Sequence, residues 1–291
     1  MNRKQYTALA FALVGAAALS AQAVAAKDLT VAVYSAFTTL DPYDASDTLS
    51  QNVAKSFYEG LFGFDKDMKL VNVLAESYDV SKDGLEYTIK LKQGIKFSDG
   101  EPFNAAAVKA NFDRVTNPEN HLTRYQLYRN IESVEVVDDA TVKFHLKEAF
   151  SAFINQLAHP SGVMICPKTL ALPKKEVAFN PCGTGPYVLE KYNPAEYLVV
   201  KKNPSYWQKG LPKLDSISFR PVLEDATRVA MLRTGEAQFV DVVPPEHVER
   251  LKETPNIVVD AALPWRLAPT RKAAQAGFEV CLLYTSDAAD D

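Results

Sequence analysis

Apolar and polar side chains alternate most regularly between Glu86 and Leu91, where Tyr87, Ile89 and Leu91 share one face and Glu86, Thr88 and Lys90 the other. That period of two predicts a strand with one face buried. An amphipathic run from Ala75 leads into it through a turn at Lys82-Asp83-Gly84. Gln93-Gly94 and Ser98-Asp99-Gly100 predict two further turns, enclosing a short strand from Ile95 to Phe97. Each turn has glycine where the backbone needs positive φ. Alternation also predicts strands over 29–34, 134–137, 141–146, 239–242 and 257–260, and a hairpin over 187–201 turning near Asn193-Pro194. Four-residue spacing of Leu49, Val53, Phe57 and Leu61 predicts a helix over 46–61, with Ser46 or Asp47 as N-cap. Asn104 can cap a helix that turns Val108, Phe112 and Val115 inward, Phe150, Phe153, Ile154 and Leu157 cluster on a short one, Asp225 can cap another that stops at Gly235, and Pro244-Pro245 opens the last. Interleaved strands and helices make this an α/β chain.

Length and charge narrow the class. The 291 residues suffice for one large or two ordinary domains, and hydrophobic residues at 47% fit a globular protein with a sizeable core. A formal net charge of -4 without a basic tract argues against nucleic acid as a partner. At the amino end, Arg3 and Lys4 precede an apolar run from Tyr6 to Leu19 and the small residues Ala23-Val24-Ala25. This is the layout of a secretory signal peptide spanning 1–25, cleaved after Ala25, and it predicts an exported, periplasmic mature chain. The alternative, a membrane anchor, meets the difficulty that the run falls short of the roughly 20 residues a spanning helix needs. Clear periodicity continues to Leu263 and is lost from Trp265 to Val280. The last residues, Cys281 to Asp291, resemble the translation of a transposase sequencing-library adapter, so 264–291 is expected to be a non-native tail.

The stretch SKDG…YTIKLKQGIKFSDGEPF within 75–103 resembles the signature of the family 5 extracellular solute-binding proteins of ABC importers, which carry peptides, nickel complexes and glutathione. GTGPY from Gly183, NPSYW from Asn203 and LPKLDSISFR from Leu211 resemble the same family, and TLDPYDASDTLSQ…YEGL and NHLTRYQLYRN resemble its glutathione-binding members. The resemblance runs from about Lys27 to Leu263. It implies a two-lobed periplasmic binding protein of type II-like architecture that closes around its ligand and presents it to membrane permease subunits. Residues 26–263 would form the first lobe, with the family's extra subdomain at about 45–180. The second lobe would be missing, so the chain alone is expected to bind weakly or not at all. The implied function is capture of glutathione, with dipeptide, oligopeptide or nickel-complex binding as alternatives, by a monomer without cofactor.

A peptide-like ligand presents carboxylates and an ammonium group, so its site needs an arginine, an acid and aromatic walls. Arg124 and Asp47 would supply the charges, and Phe37, Tyr125 and Tyr128 the walls. These residues, with Thr38 and Gln51, lie in segments that face the ligand in the family. A surface salt bridge or a helix cap is an equally available role for each charged residue. The four histidines are dispersed without HExxH-type pairing, which predicts no metal site, and no Gly-x-Ser-x-Gly elbow or nucleophile with its base supports an enzyme. The glycines of Gly183-Thr-Gly-Pro-Tyr187 have the wrong spacing for a phosphate loop. Cys166 and Cys182 could form a disulfide worth about 3 kcal/mol in an exported protein, or remain two buried thiols. An exported hydrolase and a chaperone-like binder of unfolded chains are the readings from other classes.

Overall fold

The computed structural model describes residues 27–65 and 67–259; the expected signal peptide and the expected non-native tail lie outside them. The strands, in chain order, are β1 (Asp28–Val33), β2 (Phe62–Phe64), β3 (Leu70–Asn72), β4 (Ala75–Val80), β5 (Glu86–Leu91), β6 (Ile131–Asp138), β7 (Thr141–Leu146), β8 (Tyr187–Asn193), β9 (Tyr197–Lys202), β10 (Ser216–Pro221) and β11 (Phe239–Val240). The α-helices are α1 (Thr48–Ala54), α2 (Ala105–Thr116), α3 (Tyr125–Tyr128), α4 (Phe153–Leu157), α5 (Pro167–Leu170), α6 (Lys174–Val177), α7 (Asp225–Thr234) and α8 (Pro245–Lys252).

Two sheets organise the chain. The first has the order β11-β1-β10-β9-β8, and β1 runs parallel to both β10 and β11 while β8 to β10 are antiparallel. The second, β4-β5-β7-β6, is antiparallel throughout. Its inner face carries Tyr87, Ile89, Leu91, Val142, Phe144 and Leu146, all buried. Against it packs α2, whose Val108, Phe112 and Val115 are buried and whose Asn104 side chain accepts a hydrogen bond from the Ala107 N–H. Phe112 meets Phe144 edge-on at 4.9 Å, within the preferred range for aromatic pairs. One continuous core joins this subdomain to the first sheet. A smaller one, built from Ala32, Val229, Met231, Val240 and Leu251 among others, packs α7 and α8 near β1 and β11.

Several expected boundaries move. The helix expected over 46–61 ends at Ala54, although Phe57 and Leu61 remain buried. The Ser56 and Phe57 carbonyls are instead taken by the N–H groups of Tyr187 and Gly185, both at 2.9 Å. A tertiary pairing thus replaces the next helical turn. Gly185 is required there, because a Cβ on it would stand 2.5 Å from the Phe57 carbonyl carbon. Ile95 to Phe97 is no strand: Lys96 makes a single bridge to Pro102, while Phe97 and Phe103 N–H groups close turns onto Glu101 and Ile95. The glycines of the three turns, Gly84, Gly94 and Gly100, have φ of 72, 78 and 90°. Glu224, not Asp225, caps α7, and Asp225 pairs with Arg228. The strand expected over 239–242 stops at Val240, since Val242 takes φ 57°, and Ile257 to Val259 form no strand. Cys166 and Cys182 are joined as a disulfide with Cα atoms 5.4 Å apart.

Candidate functional site

The carboxyl ends of β10, β1 and β11 open on the same edge of the sheet. Ligands of open α/β sheets bind at such an edge, where loops leave parallel strands. Val222 N–H donates to Val33 O at 2.8 Å and Asp241 N–H to Ala32 O at 3.0 Å, so the three exits lie side by side. The β1 exit is the loop from Tyr34 to Asp47. Asp47 caps α1: its Oδ1 accepts from Ser50 N–H at 2.8 Å, and its Oδ2 accepts from the Thr38 hydroxyl. Thr38 N–H donates to Ser50 Oγ at 3.0 Å, and Gln51 Nε2 donates to Asp47 O at 3.2 Å. Thr38, Asp47 and Gln51 are therefore brought together, with Thr38 exposed and the other two half-buried.

Charge gathers at the same edge. Burial, together with the Asp47 carboxylate, pushes the Tyr192 hydroxyl up to about 12. Burial raises Tyr34 too, with Asp241 and Asp47 adding to the shift. Asp241 itself is pushed up to about 6 by burial, against the opposing pull of Arg228. Tyr34 thus lies in the field of both carboxylates, and Tyr192 in that of Asp47. Arg228 is buried and holds the exits in place: its Nη1 donates to Val222 O at 2.7 Å and its Nη2 to Val242 O at 3.2 Å. The positive φ of Val242 is costly for a β-branched residue, and it turns the chain sharply just after Asp241.

The remaining expected residues are placed differently. Phe37 is 3% exposed and packs on Tyr192 and Phe219, both with ring centroids 6.4 Å away. Tyr128 is fully buried, its hydroxyl 3.1 Å from Ser161 Oγ and its ring edge-on to Tyr43 and Phe112. Both are core supports, which corrects the expectation that they wall a ligand: neither has a free face. Arg124 and Tyr125 are half-buried. Arg124 joins the subdomain to the site loop, its N–H donating to Tyr43 O at 3.0 Å and its Nε to Ala45 O at 2.8 Å. It forms no ion pair with Asp47 among the described residues. Its charge and, above all, burial hold His159 down at about 4.

Tyr34 and Asp241 were not singled out from the sequence. The available signal was a polar residue directly after each apolar strand run, and the parallel pairing that makes these two ends neighbours is a long-range fact. Glu59 was missed as well. Its Oε2 accepts from Thr184 Oγ1 at 2.9 Å and Trp207 Nε1 at 2.7 Å, and its Oε1 from Tyr206 OH at 2.7 Å. Burial raises its pKa, while these three hydrogen bonds pull it back.

The profile of the bacterial extracellular solute-binding proteins, family 5 Middle, matches residues 69–280. The glutathione-binding protein GsiB of Salmonella typhi is 62% identical over 240 residues, which is 82% of this chain and 47% of that protein. The chain thus spans about half the length of the curated relatives it matches. Among solved structures, DppA of Helicobacter pylori in complex with the peptide STSA superposes with a TM-score of 0.73 at 28% identity, covering 80% of this chain and 50% of that one. MoaA of Agrobacterium tumefaciens R10 in complex with mannopinic acid superposes at 0.75 and 27% identity, covering 82% and 50%.

Proposed function

The chain belongs to the family 5 bacterial extracellular solute-binding proteins, and from that membership we propose that the whole protein is the periplasmic component of an ABC importer that captures glutathione or a similar short peptide and delivers it to the membrane permease. The observation that carries this reading is the 62% identity to a glutathione-binding protein. The site is compatible in its chemistry. Glutathione brings one ammonium group and two carboxylates. Asp47 and Asp241, flanked by Tyr34, Tyr192 and Thr38, suit the ammonium, Gln51 suits a peptide amide, and Arg124 suits a carboxylate through the nitrogens its loop contacts leave unused. Tyr125 lies beside Arg124 as the aromatic neighbour. The protein acts as a monomer that binds and releases, without turnover.

Calorimetric titration of reduced glutathione into the full-length protein, with a dipeptide as control, tests this. Saturable binding of glutathione that weakens at least tenfold on Arg124→Ala and on Asp47→Asn is the expected result. Binding of the dipeptide alone would reject glutathione and favour the second reading, a peptide carrier, to which the likeness to the STSA-bound protein points. Release of a cleaved product would reject a pure binding role.

A further inference from the structure

Away from the sheet edge, three potential ligand atoms converge: a carboxylate oxygen of Asp99 and the sulfurs of Cys166 and Cys182 all lie within 4.8 Å of one another. Cys166 is buried, Cys182 half-buried and Asp99 exposed, so the cluster opens toward solvent at its acidic end. The three chain segments are stitched together by bonds that do not involve the sulfurs. Cys166 N–H donates to Cys182 O at 2.9 Å, Ser98 N–H donates to Gly183 O at 2.9 Å, and Ile165 bridges to Gly183. Asp99 sits in a tight turn closed by Gly100 N–H onto Phe97 O at 3.0 Å, and its Oδ1 accepts from Glu101 N–H at 3.1 Å, which leaves Oδ2 available. Ser98 Oγ stands 3.4 Å from Cys182 Sγ, where its hydroxyl can donate to a thiolate. The backbone contacts that bring the three segments together therefore do not depend on the disulfide.

We propose that Cys166, Cys182 and Asp99 form a redox-gated site for a thiophilic divalent cation such as zinc, closed in the disulfide form and competent once the pair is reduced. Reduction takes two equivalents of a small-molecule thiol. The first, as thiolate, attacks the more exposed Cys182 sulfur, which breaks the Cys166–Cys182 bond and leaves Cys166 as thiolate. The second attacks the outer sulfur of the mixed disulfide, releases Cys182 as thiolate and leaves as the oxidised small disulfide. The protein pair gains two electrons and the two thiols lose them, and the thiol protons pass to the cysteines. The cation then displaces those protons and is held by two thiolates and one carboxylate oxygen. Zinc–sulfur bonds of about 2.3 Å set the two sulfurs about 3.8 Å apart at a tetrahedral ion, reachable by side-chain rotation from the present Cα spacing of 5.4 Å. Two sulfur ligands favour zinc or cobalt over magnesium and calcium. Three protein ligands leave the fourth position open to water. Histidine spacing in the sequence carries no trace of such a site.

The test uses cobalt(II) as the probe on a Cys281→Ser background, so that the pair supplies the only thiols. Protein reduced with a phosphine should bind one equivalent with an intense near-ultraviolet thiolate-to-cobalt band that zinc bleaches, and the oxidised protein should show none. Cys182→Ser should abolish the band, and Asp99→Asn should keep it with affinity at least tenfold weaker. Far-ultraviolet circular dichroism is recorded alongside. Reduced protein that loses structure and regains it with zinc supports the site, since metal binding then drives folding. Absence of the band in folded, reduced protein, failure of zinc to restore an unfolded one, or unchanged affinity in Asp99→Asn would overturn the assignment.

Discussion

Arg114 and Asp41 make the buried ion pair that fixes the site loop to the subdomain, and breaking it offers the sharpest test of the architecture. Asp41 is 1% exposed and the Arg114 side chain 11%. The guanidinium grips both carboxylate oxygens, Nη1 to Oδ1 at 3.2 Å and Nη2 to Oδ2 at 2.5 Å, and lies 5.8 Å from the centre of the Tyr43 ring. Asp41 also accepts from Tyr43 N–H at 3.0 Å, and its carbonyl accepts from the N–H groups of Asp44 and Ala45, both at 3.0 Å. The turn that aims Thr38 and Asp47 thus starts from this pair. Arg114→Ala leaves a carboxylate buried with one backbone donor, and removing one partner of such a pair costs about 3–5 kcal/mol. Loss of the contact with Tyr43 adds about 1 kcal/mol. At roughly 2–4 °C per kcal/mol for a chain of this size, the melting temperature should fall by about 10 °C or more. Arg114→Met with Asp41→Asn removes both charges while keeping volume, and should be less harmful than the sum of the single changes by at least about 2 kcal/mol. Urea unfolding of the native protein, Arg114→Met, Asp41→Asn and the double variant measures the cycle, with Arg114→Ala unfolded alongside. A cost under about 1 kcal/mol for Arg114→Ala, or additive single changes, would refute the claim that the pair acts as one buried unit.

Asp47→Ser keeps an N-cap oxygen for α1, so its stability cost should stay within about 1 kcal/mol while glutathione affinity in calorimetry falls far more. Asp241 is raised in the fold from 3.8 to about 6, so its contribution to stability is present below 3.8 and is lost as pH rises through about 6. Relative to native protein, Asp241→Asn should therefore gain stability across that window in pH-dependent thermal melts, and parallel curves would disprove the coupling. Glu59→Leu strands three partly buried donors, which at about 1–3 kcal/mol for each lost partner should destabilise strongly and alter Trp207 fluorescence, whereas Glu59→Gln should be milder. Gly185→Ala forces a Cβ to 2.5 Å from backbone and should cost about 3 kcal/mol, read by the denaturation midpoint.

Elements whose stabilising contacts are local were legible in the sequence. The alternation of Tyr87, Ile89 and Leu91 and the cap at Asn104 each depend on neighbours within a few residues, and both appear in the structure. Boundaries decided by distant partners were not. The α1 helix ends early because carbonyls near residue 57 are bonded by chain from 185 to 187, and β11 stops after two residues because of the turn at Val242. The candidate site divides in the same way. Asp47 could be read as both cap and ligand residue, whereas the approach of Asp241 to Tyr34 follows from parallel pairing across more than two hundred residues. Aromatic residues were the weakest guide: Phe37 and Tyr128 have the composition of a ligand wall, but burial has assigned them to the core.

The segments that make the family visible are also mostly the ones that hold the fold together. Glu59 of YEGL takes hydrogen bonds from Thr184 of GTGPY and from Tyr206 and Trp207 of NPSYW, so three separate motifs meet at one carboxylate. The glycines of GTGPY are there because Gly183 and Gly185 lie against the backbone of Phe57, where any side chain would clash. Such packing says nothing about cargo. The same architecture superposes on one protein bound to a peptide and on another bound to mannopinic acid. Among the described residues, the packing constraint relaxes at the exits of β1 and β11. There Thr38 is exposed and Asp47, Gln51 and Asp241 are half-buried, so these side chains can change with less disturbance to the core beneath them.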